Sequence, residues 1–231
     1  MELGGTTWPE VAATGGACVL AVPVGSLEQH GPHLPLDTDT RIAVELTRRL
    51  SETRMDIFTA PPVAYGASGE HAAFAGTLLV NHVVLADLLM ELIRSARASF
   101  AGVVLVSTHG GNHEGLSAVR ARCRTDGEAA LVWTATAPGG DAHAGRTETS
   151  LMLAIDPDVV RMELAETGCI DPLEVLMPRL RAEGVRPISS NGVLGDPQGA
   201  TAAEGEKLLT AMTRALADAV GEQWPDPRST T

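Results

Sequence analysis

Residues 17–24 read Ala-Cys-Val-Leu-Ala-Val-Pro-Val and lead into residues 26–40, Ser-Leu-Glu-Gln-His-Gly-Pro-His-Leu-Pro-Leu-Asp-Thr-Asp-Thr. The first stretch is a continuous apolar run, the pattern of a strand buried on both faces of a parallel sheet. The second packs Glu28, His30, His33, Asp37 and Asp39 into twelve residues stiffened by Pro32 and Pro35. Imidazole and carboxylate are ligands for borderline and hard divalent metals, and the stretch holds no cysteine for a thiolate site. A polar, metal-friendly loop at the carboxyl end of a buried strand is where α/β enzymes place their chemistry.

Outward from this point, strand-like and helix-like patterns alternate. Ile42, Ala43, Leu46 and Leu50 recur at helical spacing, with Asp37 to Asp39 as N-cap chemistry. Residues 56–65 read as a second strand, and residues 65–77 as a long loop rich in Gly and Ala. A helix is expected from Asn81 to about Ser99, with Val84, Leu85, Leu88, Leu89, Leu92 and Ile93 on its apolar face. Val103-Val104-Leu105-Val106 reads as an interior strand that stops at Ser107-Thr108-His109-Gly-Gly-Asn112-His113-Glu114. A helix to Arg124, a strand over 129–136, a helix after Ser150, one from Pro172 and a last one over 202–224 complete the pattern. The alternation implies an α/β fold, a three-layer sandwich with a mostly parallel central sheet flanked by helices. With no internal repeat and no dividing linker, residues 1–231 read as one domain.

Composition narrows the function. Apolar residues make up 44% of the chain and aromatic residues 3%, so Ala, Val and Leu must build the core. A formal net charge of −12 disfavours binding to a phosphate backbone, so no nucleic-acid partner is expected. Cys18, Cys123 and Cys169 are too dispersed for a metal-binding cysteine motif and fit reduced thiols. The N-terminus lacks the features of a signal peptide, and no apolar run approaches the ~20 residues of a membrane span. The expectation is a soluble, cytoplasmic protein with no membrane partner.

Six of the seven histidines, His30, His33, His71, His109, His113 and His143, fall in expected loops beside glycine or acidic residues. His82 stands apart at a helix start, in a capping or surface role. Glu28 and His30 alternate by two, so an extended chain points both the same way. Asp39 follows the prolines and has two oxygens with which to bridge a metal pair. The plainer alternative makes Asp37 and Asp39 helix caps and His30 a turn stabiliser. His109 follows a buried strand, and Gly110, Gly111 and Asn112 after it leave room for substrate and offer oxyanion donors. In Asp141-Ala-His143-Ala-Gly-Arg-Thr-Glu148, Glu148 is a ligand candidate or a partner of the helix dipole, and His143 a proton-transfer group. Glu70 and His71 lie in the 65–77 loop, either as a substrate-contacting lid or as a polar surface turn. No nucleophile elbow is present, which leaves a hydrolytic metal centre as the leading class.

The segments Glu28-Gln-His30-Gly-Pro-His33-Leu-Pro-Leu-Asp-Thr-Asp39, Thr108-His109-Gly-Gly-Asn112 and His143-Ala-Gly-Arg-Thr-Glu148 resemble, in this order, the signature of the creatininase (creatinine amidohydrolase) family. With Asn191-Gly-Val-Leu-Gly-Asp-Pro-Gln-Gly-Ala-Thr201 the likeness covers nearly the whole chain. Tyr65-Gly-Ala-Ser-Gly-Glu-His71 is similar to the branch of that family found in the mycofactocin system. The resemblance implies a peptidase that uses a metal-activated water to hydrolyse the amide before a modified Val-Tyr unit ending a precursor peptide. It also implies two divalent ions, Fe(II) and/or Zn(II) or else Mn(II), and a homo-oligomer, a hexamer or related assembly. By the same resemblance Glu28, His30, Asp39 and His109 match metal-ligand positions, with Asp39 bridging and His143 serving substrate or proton transfer. Creatininase has a Glu where this chain has Gly111, and Glu148 is taken as the replacement, both ligand and catalytic. His33 and Asp37 are left to shape the loop. The alternatives are hydrolysis of a small cyclic amide or formamide, and a scaffold that binds peptide without cleaving it.

Overall fold

In a computed structural model, which describes residues 1–137 and 139–226, the two apolar runs are adjacent strands. The strands are β1 (Val19–Val24), β2 (Ile57–Thr59), β3 (Gly102–Ser107) and β4 (Ala130–Thr134). They lie in the order β2-β1-β3-β4, and every pairing is parallel. β2 is shorter than the 56–65 expected, because Pro61 and Pro62 have no N–H to give to a ladder. Pairing resumes only as an isolated bridge between Val63 and Val24.

The helices are α1 (Trp8–Ala12), α2 (Thr38–Thr53), α3 (His82–Ala96), α4 (His113–Asp126), α5 (Arg146–Ile155), α6 (Leu173–Glu183) and α7 (Ala202–Gln223). Alternate residues of the central strands feed two separate cores. Leu20, Val22, Val24, Val103 and Leu105 pack with Leu85, Leu89, Met90 and Ile93 of α3 and Leu116 and Val119 of α4. Val19, Ala21, Val104 and Val106 pack on the other face with α2, α5 and α7, through Ile42, Leu46, Leu50, Leu151, Met152, Leu209 and Leu216. This is the three-layer arrangement, and it explains why β1 and β3 read as unbroken apolar runs.

Local signals set the helix boundaries. Asn81 Oδ1 accepts the N–H groups of Val83 and Val84 and starts α3, as expected. Val84 and Leu88 of its expected apolar face are exposed, so the stripe is wider than the surface the sheet covers. α5 begins at Arg146, ahead of the start expected after Ser150, because the Asp141 carboxylate caps the N–H groups of Arg146 and Thr147. Within the described residues, no helix is long and apolar enough to cross a membrane.

This order creates a switch point. From β1 the chain moves to β2 on one side, then crosses to β3 on the other. Crossovers therefore leave the carboxyl ends of β1 and β3 in opposite directions and open a crevice between them. The loops after Val24 and after Ser107 both empty into it. Gly25 lets them close, since a Cβ there would collide with the backbone of Thr40 in the first turn of α2. Thr40 Oγ1 then donates to Ser26 O at 2.9 Å, and Thr108 Oγ1 donates to Asp39 O at 2.7 Å.

Candidate metal centre

The crevice is lined by a buried cluster of carboxylates and imidazoles. Glu28 and His30 are fully buried, Asp39 is 2% exposed and His109 4%. His109 spans two carboxylates, with Nε2 3.1 Å from Glu28 Oε2 and Nδ1 3.3 Å from Asp39 Oδ2. His30 Nε2 lies 3.5 Å from Asp39 Oδ2 and 4.0 Å from Glu148 Oε2. Asp39 thus sits between a Glu28–His109 end and a His30–Glu148 end, and Ser26 Oγ donates to its Oδ2 at 2.7 Å. As for the N-cap alternative, Asp37 is the capping residue but makes no side-chain cap bond. Its carboxylate takes Arg41 instead.

The cluster fits divalent ions. Both Glu28 oxygens and His30 Nε2 are buried and have no hydrogen-bond partner, a costly arrangement unless a cation satisfies them. Donor atoms of Glu28, Asp39 and His109 converge within 4.8 Å of one another, as do those of His30, His143 and Glu148 and those of Glu28, His71 and His143. Nitrogen and oxygen donors of this kind suit zinc, iron and manganese. His30 Nδ1–H donates to Glu28 O at 3.1 Å, leaving Nε2 as the ligand nitrogen.

The cluster's own charges reveal the same tension. Burial pushes Glu28 up to about 7, with Asp39 adding to it and His109 and His30 opposing. Burial likewise raises Glu148 to about 7. Burial also opposes charging His30 and His109, but neighbouring carboxylates outweigh it and raise them to about 9 and about 10. Asp39, although buried, is held well below the usual carboxylate range by those two imidazoles. Burial, then nearby imidazolium charge, depresses His71 to about 3 and puts His143 well below its ordinary value.

Other expected residues are distributed as follows. Glu148 accepts the Ala144 N–H at 2.6 Å from the first turn of α5, so one carboxylate both braces the helix start and faces His30. His143 is buried beside the His30 and His71 rings, their centroids 4.5 and 4.4 Å away. His71 is no surface turn: it is buried, with Nε2 3.3 Å from Glu28 Oε1. Asn112 is buried, and its side chain accepts from Ala67 N at 2.9 Å and donates to Gly25 O at 3.1 Å. Gly110 is exposed and Gly111 half-buried at the crevice rim. His33 is buried against Thr149 Oγ1 at 2.9 Å, and His82 and His113 are exposed.

Gln29 was not singled out from the sequence. Its Oε1 accepts Gly31 N at 2.9 Å, and its Nε2 donates to Gly192 O at 3.0 Å and to His71 Nδ1 at 2.8 Å. Its backbone carbonyl accepts from His143 Nε2 at 2.8 Å. Its position between two ligand candidates was the available signal, because alternation turns its side chain away from theirs. The Ala144 backbone, left-handed at φ 53°, marks the same region as constrained.

The creatininase family model, described as creatinine amidohydrolase, matches residues 5–220. A relative in Mycolicibacterium smegmatis named mycofactocin precursor peptide peptidase is 47% identical over 213 residues, 90% of this chain and 86% of its own. Two solved creatininases superpose with a TM-score of 0.80 across 97% of this chain and 98% of theirs. One is described as the Mn form, at 27% identity, and the other as a variant of Zn-Zn type, at 26%. The chain belongs to the creatininase family of amidohydrolases.

Proposed function

We propose that this chain is a metal-dependent peptidase acting on the mycofactocin precursor peptide, hydrolysing the amide before its C-terminal modified Val-Tyr unit. The observation that carries the reading is a buried set of donor atoms without hydrogen-bond partners, in a chain 47% identical to a peptidase of that name. In this reading residues 1–231 form one metallohydrolase domain, cytoplasmic and assembled as a homo-oligomer such as a hexamer. Glu28, Asp39 and His109 would hold one divalent ion, and His30 and Glu148 with Asp39 would hold a second, with Fe(II) and Zn(II) the leading identities. The ions supply Lewis-acid polarisation of the amide carbonyl and activation of water.

The side chains do the rest. Gln29 O holds the Nε2 proton of His143, so Nδ1 presents a lone pair toward the centre, 3.8 Å from Glu28 Oε1. His143 Nδ1 takes a proton from the attacking water as its oxygen bonds to the amide carbon, and passes that proton to the leaving nitrogen as the C–N bond breaks. Gly110 and Gly111 leave backbone at the rim for the peptide to lie against, and Glu70 and His71 contact it from the 65–77 segment. The small-ring alternative has less support, since Trp133 is the sole aromatic between Phe100 and Asp141 and lies in β4.

The test is incubation of metal-loaded protein with the modified peptide and, separately, with creatinine, followed by mass spectrometry. Release of the modified dipeptide unit is expected, and turnover of creatinine alone would sink the reading. Glu28→Ala and Asp39→Ala should each abolish release while circular dichroism stays unchanged.

A further inference from the structure

The 65–77 segment reaches the centre twice. His71 approaches Glu28 Oε1, and Glu70, one residue earlier, enters from the His109 side. A Cβ on Gly111 would collide with Glu70 Oε1 and would lie 2.5 Å from both His109 Nε2 and Ala67 O. The Glu70 carboxylate therefore fills the volume that a side chain at 111 would need. It shares that volume with the His109 nitrogen that faces Glu28.

The backbone of Glu70 is clamped. It sits in a 3-10 turn, Gly69–His71, with His71 N donating to Ser68 O at 3.0 Å. Its own carbonyl accepts Val185 N at 2.9 Å. Beneath it Gly184, at φ 76°, lets the chain leaving α6 pass, since a Cβ there would lie 2.8 Å from Glu70 O. At the opposite end of the cluster Glu148 is placed with similar care, by the Ala144 N–H. The Glu28–Asp39–His109 set offers three protein groups, and an ion there would have a further position that a carboxylate from Glu70 could take.

We propose that Glu70 is a carboxylate ligand at the Glu28–Asp39–His109 end of the centre, admitted by the missing side chain at Gly111. The proposal rests on the metal-centre reading above and adds a ligand donated by a different loop. It makes the 65–77 segment part of the coordination sphere.

The experiment titrates Mn(II) into the full-length protein, reading unbound ion by electron paramagnetic resonance, and records the visible spectrum of the Co(II)-loaded form. Wild type is expected to bind two ions. Glu70→Gln keeps the shape and removes the charge, and should weaken one ion by more than about 100-fold. That exceeds the 10–100-fold cost of losing an outer-shell partner. The Co(II) bands should shift with the lost oxygen. Glu70→Asp, which keeps charge but shortens reach, should lie between and guards against a folding artefact. Two ions held by Glu70→Gln with wild-type bands, or a loss below 100-fold with unmoved bands, would overturn the proposal. Failure of wild type itself to bind metal, or unchanged binding by Asp39→Ala, would instead defeat the underlying centre.

Discussion

His30 donates its Nδ1–H to the carbonyl of Glu28, 3.1 Å away, and that bond decides which imidazole nitrogen stays bare. The bare atom, Nε2, faces Asp39 and Glu148 with no hydrogen bond of its own. A two-residue step in the chain thus sets both the tautomer and the aim of one ligand. The same step leaves the Glu28 carboxylate on the other side of Asp39, where His109 and His71 approach it.

Such a cluster trades stability for ligation. Two buried Glu28 oxygens without partners cost about 1–3 kcal/mol each when nothing satisfies them. In chelator-stripped protein at pH 8, Glu28→Gln should therefore melt higher than wild type, by about 2–4 °C for each kcal/mol regained. Adding Zn(II) or Mn(II) should reverse the order, because only wild type gains the binding term. Thermal melts with and without metal check this, and equal stripped-state melting temperatures would contradict it.

Gln29 governs His71 in a comparable way. Gly31 N–H and Gly192 O fix which end of the Gln29 amide is which, so His71 Nδ1 must accept and Nε2, 3.3 Å from Glu28 Oε1, carries the hydrogen. Gln29→Leu removes this orientation without touching a ligand. We expect kcat for peptide cleavage to fall about 10–100-fold while both ions remain bound. Steady-state rates and metal content on one preparation separate the two effects, and an unchanged kcat would show the bridge to be idle.

The parts of the fold that were legible from sequence are those where burial leaves a pattern. β1 and β3 are covered on both faces and read as unbroken apolar runs, and the segments after them carried Glu28, His30, Asp39 and His109. The extent of β2 was less legible, because two prolines interrupt a run that still looks apolar. The burial of His71 left no local trace: it lies in a Gly/Ala-rich segment without periodicity and is enclosed by contacts from residues 29, 28 and 143. Gln29 escaped notice because an amide is not a ligand, and its work lies in orienting groups distant in sequence. Long-range enclosure of this kind is a property of the tertiary structure alone.

Asn112 joins three elements around the centre. Its Oδ1 takes the Ala67 N–H and its Nδ2 donates to Gly25 O, tying the 65–77 segment to the loop after β1. Asn112→Leu keeps the volume but strands two buried backbone groups, each costing about 1–3 kcal/mol. Urea denaturation should show a loss of about 2–6 kcal/mol for the two together. Hydrogen exchange at residues 66–71 should quicken more than exchange in β3, and a uniform change across both would argue that the tie is not local.

His33 supplies a pH signature that can be read against a single substitution. It is buried with Nε2 on Thr149 Oγ1, and burial together with the His30 charge lowers it to about 4. The unfolded chain, with an ordinary value near 6.5, binds a proton there that the folded chain refuses. Its contribution is therefore complete above pH 6.5 and is lost as pH falls toward 4. Between pH 7 and pH 5 that loss amounts to about 2 kcal/mol. His71 and His143 act in the same direction, while Glu28 and Glu148, raised to about 7, act in the opposite one. The wild-type profile alone is consequently a sum of opposing slopes. His33→Gln keeps a hydrogen-bonding group near Thr149 and deletes the titration, so the difference between variant and wild type isolates one residue. Relative to wild type, the variant should gain about 2 kcal/mol on going from pH 7 to pH 5, seen as a crossing or narrowing of their urea midpoints. A difference that stays constant across that range would mean His33 is protonated as readily in the fold as in the open chain.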